Sequence, residues 1–220
     1  MLLELFLSNK HPVFAILTIC LVLLSVSIHE FSHALAATLL GDQTPRYTGR
    51  LTLNPFAHFD VMGLFFILFT RFGWGKPVQI DPTQLKNPKR DMAIISFAGP
   101  FSNIVFGFVI ILMMKLADIF LSGIVGLYVI DALMPVVYIT FGLAIFNLLP
   151  ISPLDGEKIF IFFIPEEIQS HIETFMRTFS FIIFLIILAP IIPGGYSVFT
   201  LILSPIYLLI DTFLSFLGLL

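Results

Sequence analysis

Five stretches of this 220-residue chain stay apolar over lengths comparable to a bilayer's hydrocarbon core, and nothing else in the sequence limits its fold so strongly. A segment in lipid must satisfy every backbone N–H and C=O internally, which leaves helices or a closed barrel; about 20 apolar residues in a row read as a helix. The stretches lie near residues 12–40, 93–116, 132–149, 178–192 with its apolar flanks, and 196–219. The expectation is therefore an all-α polytopic membrane protein. A further run, residues 61–70, is too short to cross and reads as a re-entrant or interfacial segment bordered by "RFGWGKP". The stretch 119–149 is read as a turn interrupted near Asp131 and Pro135, with the helix resuming at Ala132.

Composition agrees: 58% of residues are hydrophobic and 11% charged, less than half of the roughly 25% charged share of soluble domains. A net charge of −3 and the absence of a basic arm, a Walker loop or a GxGxxG sequence exclude nucleic-acid binding and phosphate cradling. The single cysteine, Cys20, excludes an internal disulfide framework and a cysteine-rich metal site. No cationic n-region with a small-residue cleavage site precedes the first apolar stretch, which is therefore expected to belong to the mature chain. With no repeat or polar linker, one domain is expected over 1–220.

Charge sets an orientation. Seven of the eleven Lys and Arg lie in residues 41–92, which the positive-inside rule assigns to the cytoplasm. The first helix then enters from outside, the second returns, and the third descends again, carrying Lys158 and Arg177 to the same side. This holds only if 61–70 does not cross.

Inside the first apolar stretch sits "VSIHEFSHALAA", residues 26–37. His29 and His33 are four residues apart and so share one helix face, with Glu30 beside them. Two neutral imidazoles bind zinc, and the adjacent glutamate can deprotonate a zinc-bound water. From five His and six Glu, an accidental HExxH is expected only roughly 0.003 times in a chain of this length. The competing reading is a pair of satisfied buried histidines with Glu30 snorkelling to an interface. Ionisable groups are costly in apolar surroundings, about 2.5 to 3.5 kcal/mol for one charge on insertion scales, and a metal ion would offset that cost.

Catalytic zinc takes three protein ligands. His11, His58 and His171 are not returned to the depth of His29 and His33 by this topology. Asp155 is, at the cytoplasmic end of the third helix in "NLLPISPLDG", residues 147–156.

Together, "HEFSH", "NLLPISPLDG", "GRLTLNPFAHFD", "GWGKPVQIDP" and "FAGPFSN" closely resemble the site-2 protease family of intramembrane zinc metalloproteases, in its compact prokaryotic branch without PDZ or CBS modules. The likeness covers most of residues 26–160. It implies five to six transmembrane helices, a re-entrant or β-hairpin segment near the active site, a catalytic core over about 12–160, and one Zn2+ reached from the cytoplasmic side of a prokaryotic plasma membrane. By resemblance His29, His33 and Asp155 are the metal ligands, Glu30 the catalytic base, and Asn147 a residue near the site that holds substrate or the oxyanion. Asn103 and His58 are further candidates for substrate or oxyanion contacts, against helix glue for Asn103 and a turn anchor for His58. The expected partner is a membrane protein with a transmembrane segment, which must unwind before attack. Residues 46–54, "RYTGRLTLN", alternate enough to offer a strand edge for it. "PEEIQSHIETFMRTF" reads as a cytoplasmic interfacial helix. Two other functions compete: an inactive helix-binding regulator, which needs no Glu30, and a zinc-handling membrane protein, which would need more Cys and His elsewhere.

Overall fold

The computed structural model describes residues 12–58, 75–121 and 123–220. In chain order these form α1 (Pro12–Leu40), the short α2 (Thr44–Tyr47) and α3 (Pro55–His58), a 3-10 turn (Pro82–Gln84), α4 (Pro88–Phe120), α5 (Ile124–Asn147), α6 (Asp155–Phe163), α7 (Glu166–Leu188) and α8 (Val198–Phe216). Five of them, α1, α4, α5, α7 and α8, are long and apolar enough to cross a membrane. Phe97, Phe101, Phe108 and Leu112 of α4 are 45 to 58% exposed, a surface suited to lipid rather than water. The protein is an all-α polytopic membrane protein. The 61–70 run lies outside the described residues, as does the rest of 59–74.

Local chemistry sets the boundaries. α1 stops at Gly41, whose φ of 118° a side chain would resist. α4 begins five residues before its apolar stretch because Asn87 caps it, accepting from the Arg90 N–H, with Pro88 at the first turn. α5 runs unbroken from Ile124, through both Asp131 and Pro135, where the sequence suggested an interruption. Proline removes one helical N–H, which frees the Asp131 carbonyl four residues back, yet α5 is held through this point by the burial of Leu133, Val136 and Val137 in the core; beside it the Thr18 hydroxyl of α1 donates to the Ala132 carbonyl at 2.7 Å.

α1, α4 and α5 pack side by side, with Ile110, Met114, Leu133, Val136 and Val137 at the centre of the core. Gly107 admits the Phe141 ring: a Cβ there would stand 2.6 Å from Cε2. α8 lies antiparallel to α5 along its length. Phe199 meets Phe146 at one end and Tyr138 bonds Asp211 farther along, while just past α8 the Leu217 carbonyl accepts from Lys115 of α4.

α7 follows a different path. The carbonyl just before it, Ile164, accepts from Lys89 Nζ at 2.7 Å, at the start of α4. Near its far end Phe184 packs on Phe146, with ring centroids 5.9 Å apart, at the end of α5. A helix of 23 residues is about 34 Å long, yet both its ends abut the same end of the bundle. α7 therefore slants across that end. The interfacial segment and the apolar run expected at 178–192 are one continuous helix.

The loops at this end are tied by buried polar groups. Asp42 accepts from the Thr44 and Asp81 N–H groups at 2.8 Å, and Arg50 donates to the Ala57 and Lys76 carbonyls. Asp81, half-buried in the same loops, is held below the usual carboxylate range by hydrogen bonds from Thr83 and Gln84. Residues 46–54 are not a strand. Pro45 opens the α2 turn, Gly49 turns back with φ 69°, and Arg50 and Thr52 spend their N–H groups on Pro45 and Arg50 carbonyls.

Candidate metal centre

His29 and His33 project from one face of α1 with their ring planes at 85° and their Nε2 atoms 3.0 Å apart. Asp155 comes from the first turn of α6. The chain reaches it through Pro150 and Pro153 after α5 ends at Asn147. Its Oδ2 lies 3.2 Å from each Nε2. The approach is tight: a Cβ on Gly156 would stand 2.3 Å from the carbonyls of Leu148 and Leu149. That explains the "DG" pair, since glycine lets α6 begin against the end of α5.

α4 forms the third wall. A Cβ on Gly99 would stand 2.3 Å from His33 Nε2 and 2.7 Å from His29 Cε1, so glycine leaves open the space the two rings face. Four residues earlier on that wall, the Ile95 carbonyl lies 2.7 Å from His33 Nδ1.

The donor set fits a metal ion. Asp155 Oδ2 is buried with no aligned hydrogen-bond donor. His33 has its Nδ1 on a carbonyl, which can only accept, so in the neutral ring its Nε2 carries a lone pair. Two such nitrogens and a carboxylate oxygen crowded together repel one another until a cation sits among them. A tetrahedral ion about 2.0–2.1 Å from each donor would separate neighbouring donors by about 3.3 Å, close to the 3.0 to 3.2 Å found. Among the described residues this is the group of His, Cys, Asp and Glu side chains able to hold a metal.

The other candidates fall at different places. Glu30 is half-buried, one step around α1, and its Oε2 accepts from the Val78 N–H at 3.3 Å. Asn103 is fully buried on α4 with its amide 3.1 Å from His29 Nδ1. His58 is fully buried, its Nε2 2.7 Å from the Thr52 carbonyl, and it is not part of the metal group. Asn147 donates to Leu143 within its own helix at 3.0 Å. Sequence reasoning did not single out Gly99, the Ile95 carbonyl, Ser25 or Thr140. Their signal was present but faint: a Gly-Pro pair inside an apolar helix, and hydroxyls in apolar runs.

Comparison with known proteins gives the family. The profile described as "Peptidase family M50" matches residues 17–123. A Bacillus subtilis (strain 168) protein named "Putative zinc metalloprotease YwhC" is 34% identical over 173 residues, covering 75% of this chain and 76% of that protein. "Putative zinc metalloprotease Rip2" of Mycolicibacterium smegmatis is 32% identical over 145 residues, 61% of this chain and 52% of that protein. No solved structure matches. With the two histidines, the aspartate and the bundle that joins them, the chain belongs to peptidase family M50, the site-2 proteases.

Proposed function

We propose that this protein is an intramembrane zinc endopeptidase hydrolysing peptide bonds in or near transmembrane segments of other membrane proteins. The observation that carries the reading is the convergence of His29 Nε2, His33 Nε2 and Asp155 Oδ2 within an apolar bundle. A zinc ion held by these three supplies a Lewis acid that polarises the scissile carbonyl and lowers the pKa of water.

Glu30 takes one proton from the attacking water, whose oxygen bonds to the carbonyl carbon, and returns that proton to the departing amine as the C–N bond breaks. The Val78 N–H steadies the carboxylate through Oε2 and leaves its other oxygen for this transfer. His29, His33 and Asp155 hold the metal and take no proton. Asn147, at the end of α5 on the approach to Asp155, is the candidate for contacting substrate or the oxyanion; His58 serves the loop that flanks Glu30. The substrate helix must unwind to free its carbonyl. Access is from the cytoplasm, since seven of eleven Lys and Arg lie in residues 41–92.

The test is cleavage of single-pass membrane reporters by the purified protein in liposomes, comparing wild type with Glu30→Gln at matched zinc occupancy. Zinc-dependent cleavage by the wild type is expected, with a loss of at least about 100-fold in the variant, the lower range for a general base. Equal cleavage by both proteins would overturn the role of Glu30. Zinc binding and helix binding without cleavage by either would favour the regulator.

A further inference from the structure

Both metal-site histidines need a proton on Nδ1 if Nε2 is to bind the ion, and each Nδ1 therefore needs an acceptor. His33 has a backbone carbonyl, Ile95, which can play no other part. His29 has instead a side chain, Asn103, 3.1 Å away and fully buried. An amide is ambiguous where a carbonyl is not. With its nitrogen toward His29 it would donate, forcing the imidazole proton onto Nε2 and blocking the ligand position. With its oxygen toward His29 it accepts and leaves Nε2 bare. The two orientations occupy nearly the same volume.

A metal ion on Nε2 selects between them, because only the second orientation leaves that nitrogen bare. The amide nitrogen faces His29 Nδ1, while its oxygen accepts from Ser25 Oγ at 3.5 Å and Ser25 Oγ accepts from Thr140 Oγ1 at 3.1 Å; a half-turn of the amide exchanges its two ends. Ser25, Asn103 and Thr140 are all fully buried, one on each of α1, α4 and α5. Ser25 is one helical turn before His29. The Ser25 hydroxyl can donate to the amide oxygen or accept from the NH2 group, so it serves either orientation; when the Asn103 oxygen accepts from His29, the NH2 group still finds a partner in Ser25 Oγ.

We infer that Asn103 is a positioning residue: with metal on Nε2 its side-chain oxygen fixes His29 as the Nδ1–H tautomer, and the Ser25 hydroxyl partners the other end of the amide. This rests on the metalloprotease reading of the site but assigns Asn103 to the metal ligand rather than to substrate.

Zinc affinity measured by chelator competition on the full-length protein in detergent tests it, with the visible spectrum of the Co2+-loaded protein as a second readout. Partners of metal-bound histidines typically contribute 10- to 100-fold in metal affinity. Asn103→Leu, close in volume but unable to accept, is expected to weaken zinc binding by about that factor and to alter the Co2+ bands. Asn103→Asp, which accepts only, is expected to restore most of the affinity. Ser25→Ala should give a smaller loss, because the amide remains but the end turned away from His29 loses its buried partner. Wild-type zinc affinity in Asn103→Leu together with a raised KM would overturn the inference and return Asn103 to substrate binding. An Asn103→Asp protein that folds but binds zinc as poorly as Asn103→Leu would overturn it as well. If the wild type itself fails to bind one zinc, it is the metal-site reading that fails, and the Asn103 variants then show no difference.

Discussion

Gly99 shows how one missing atom shapes the site. In a helix interior alanine is better than glycine by about 1 kcal/mol, so Gly99→Ala considered locally should stabilise α4. Its methyl group, however, would stand 2.3 Å from His33 Nε2, in the space the metal donors face. The expected outcome is a folded protein that no longer holds stoichiometric zinc, measured by metal analysis after dialysis alongside circular dichroism. A protein with wild-type zinc content would show that the rings have another way to converge. Of the residues in the site, His29 and His33 were legible because both lie on one helix at a spacing of four. Asp155 was legible only through topology, since it lies 122 positions beyond His33 and needs the order of crossings to reach that depth. The place of Asn103 was not legible: its polarity was visible, but which way it faces depends on how α4 is rotated against α1. Gly99 matters only through its distance to another helix, which no local pattern encodes.

At the scale of elements, the junction between α5 and α6 deserves the closest test because it delivers the third ligand. Asp155 and Glu157 occupy the first turn of α6, where negative charge suits the helix dipole. Gly156 lets that turn start against the Leu148 and Leu149 carbonyls, with a Cβ clash of 2.3 Å awaiting any side chain. Backbone cannot give way as a side-chain tip does, so Gly156→Ala must push α6 off the end of α5 and move Asp155 with it. The expected cost is about 1 to 3 kcal/mol, seen as a lower midpoint in denaturant, together with weaker zinc binding. A loss of stability with unchanged zinc affinity would mean that Asp155 follows the displaced helix without penalty. The stop of α1 before Gly41 came through, because it rests on local chemistry; the start of α4 did not, since apolarity alone puts it at 93, past the Asn87 cap. Local patterns failed at Pro135, because what carries α5 through it is the packing of Leu133, Val136 and Val137 against other helices, and at 46–54, where Pro45 and Gly49 turn an alternating pattern into consecutive turns.

For the whole molecule, the path of α7 decides where the chain ends. Length and composition alone make five helices fit to cross, and alternating them would place Tyr196 opposite the 41–92 loops and return Leu220 to their side. The contacts imply another route. Lys89 and Phe146 both mark the metal-site end of the bundle, and they hold the beginning and the far part of α7 respectively. Phe199 then starts α8 at the same end, and Leu217 meets Lys115 at the other. α1, α4, α5 and α8 therefore make four antiparallel passages, while α7 slants beside the site with only Met176 of its residues buried. Single cysteines in a Cys20→Ser background distinguish the two routes, using an impermeant thiol reagent on intact cells and on inverted vesicles. Lys86→Cys, Tyr196→Cys and Leu220→Cys all lie at exposed positions. The slanting path predicts that Tyr196→Cys is labelled from the same side as Lys86→Cys, and Leu220→Cys from the opposite one. The reverse pattern, Leu220→Cys with Lys86→Cys and Tyr196→Cys alone, would make α7 a full crossing. In that case α7 would have to leave Phe146, and α8 could not stay antiparallel to α5.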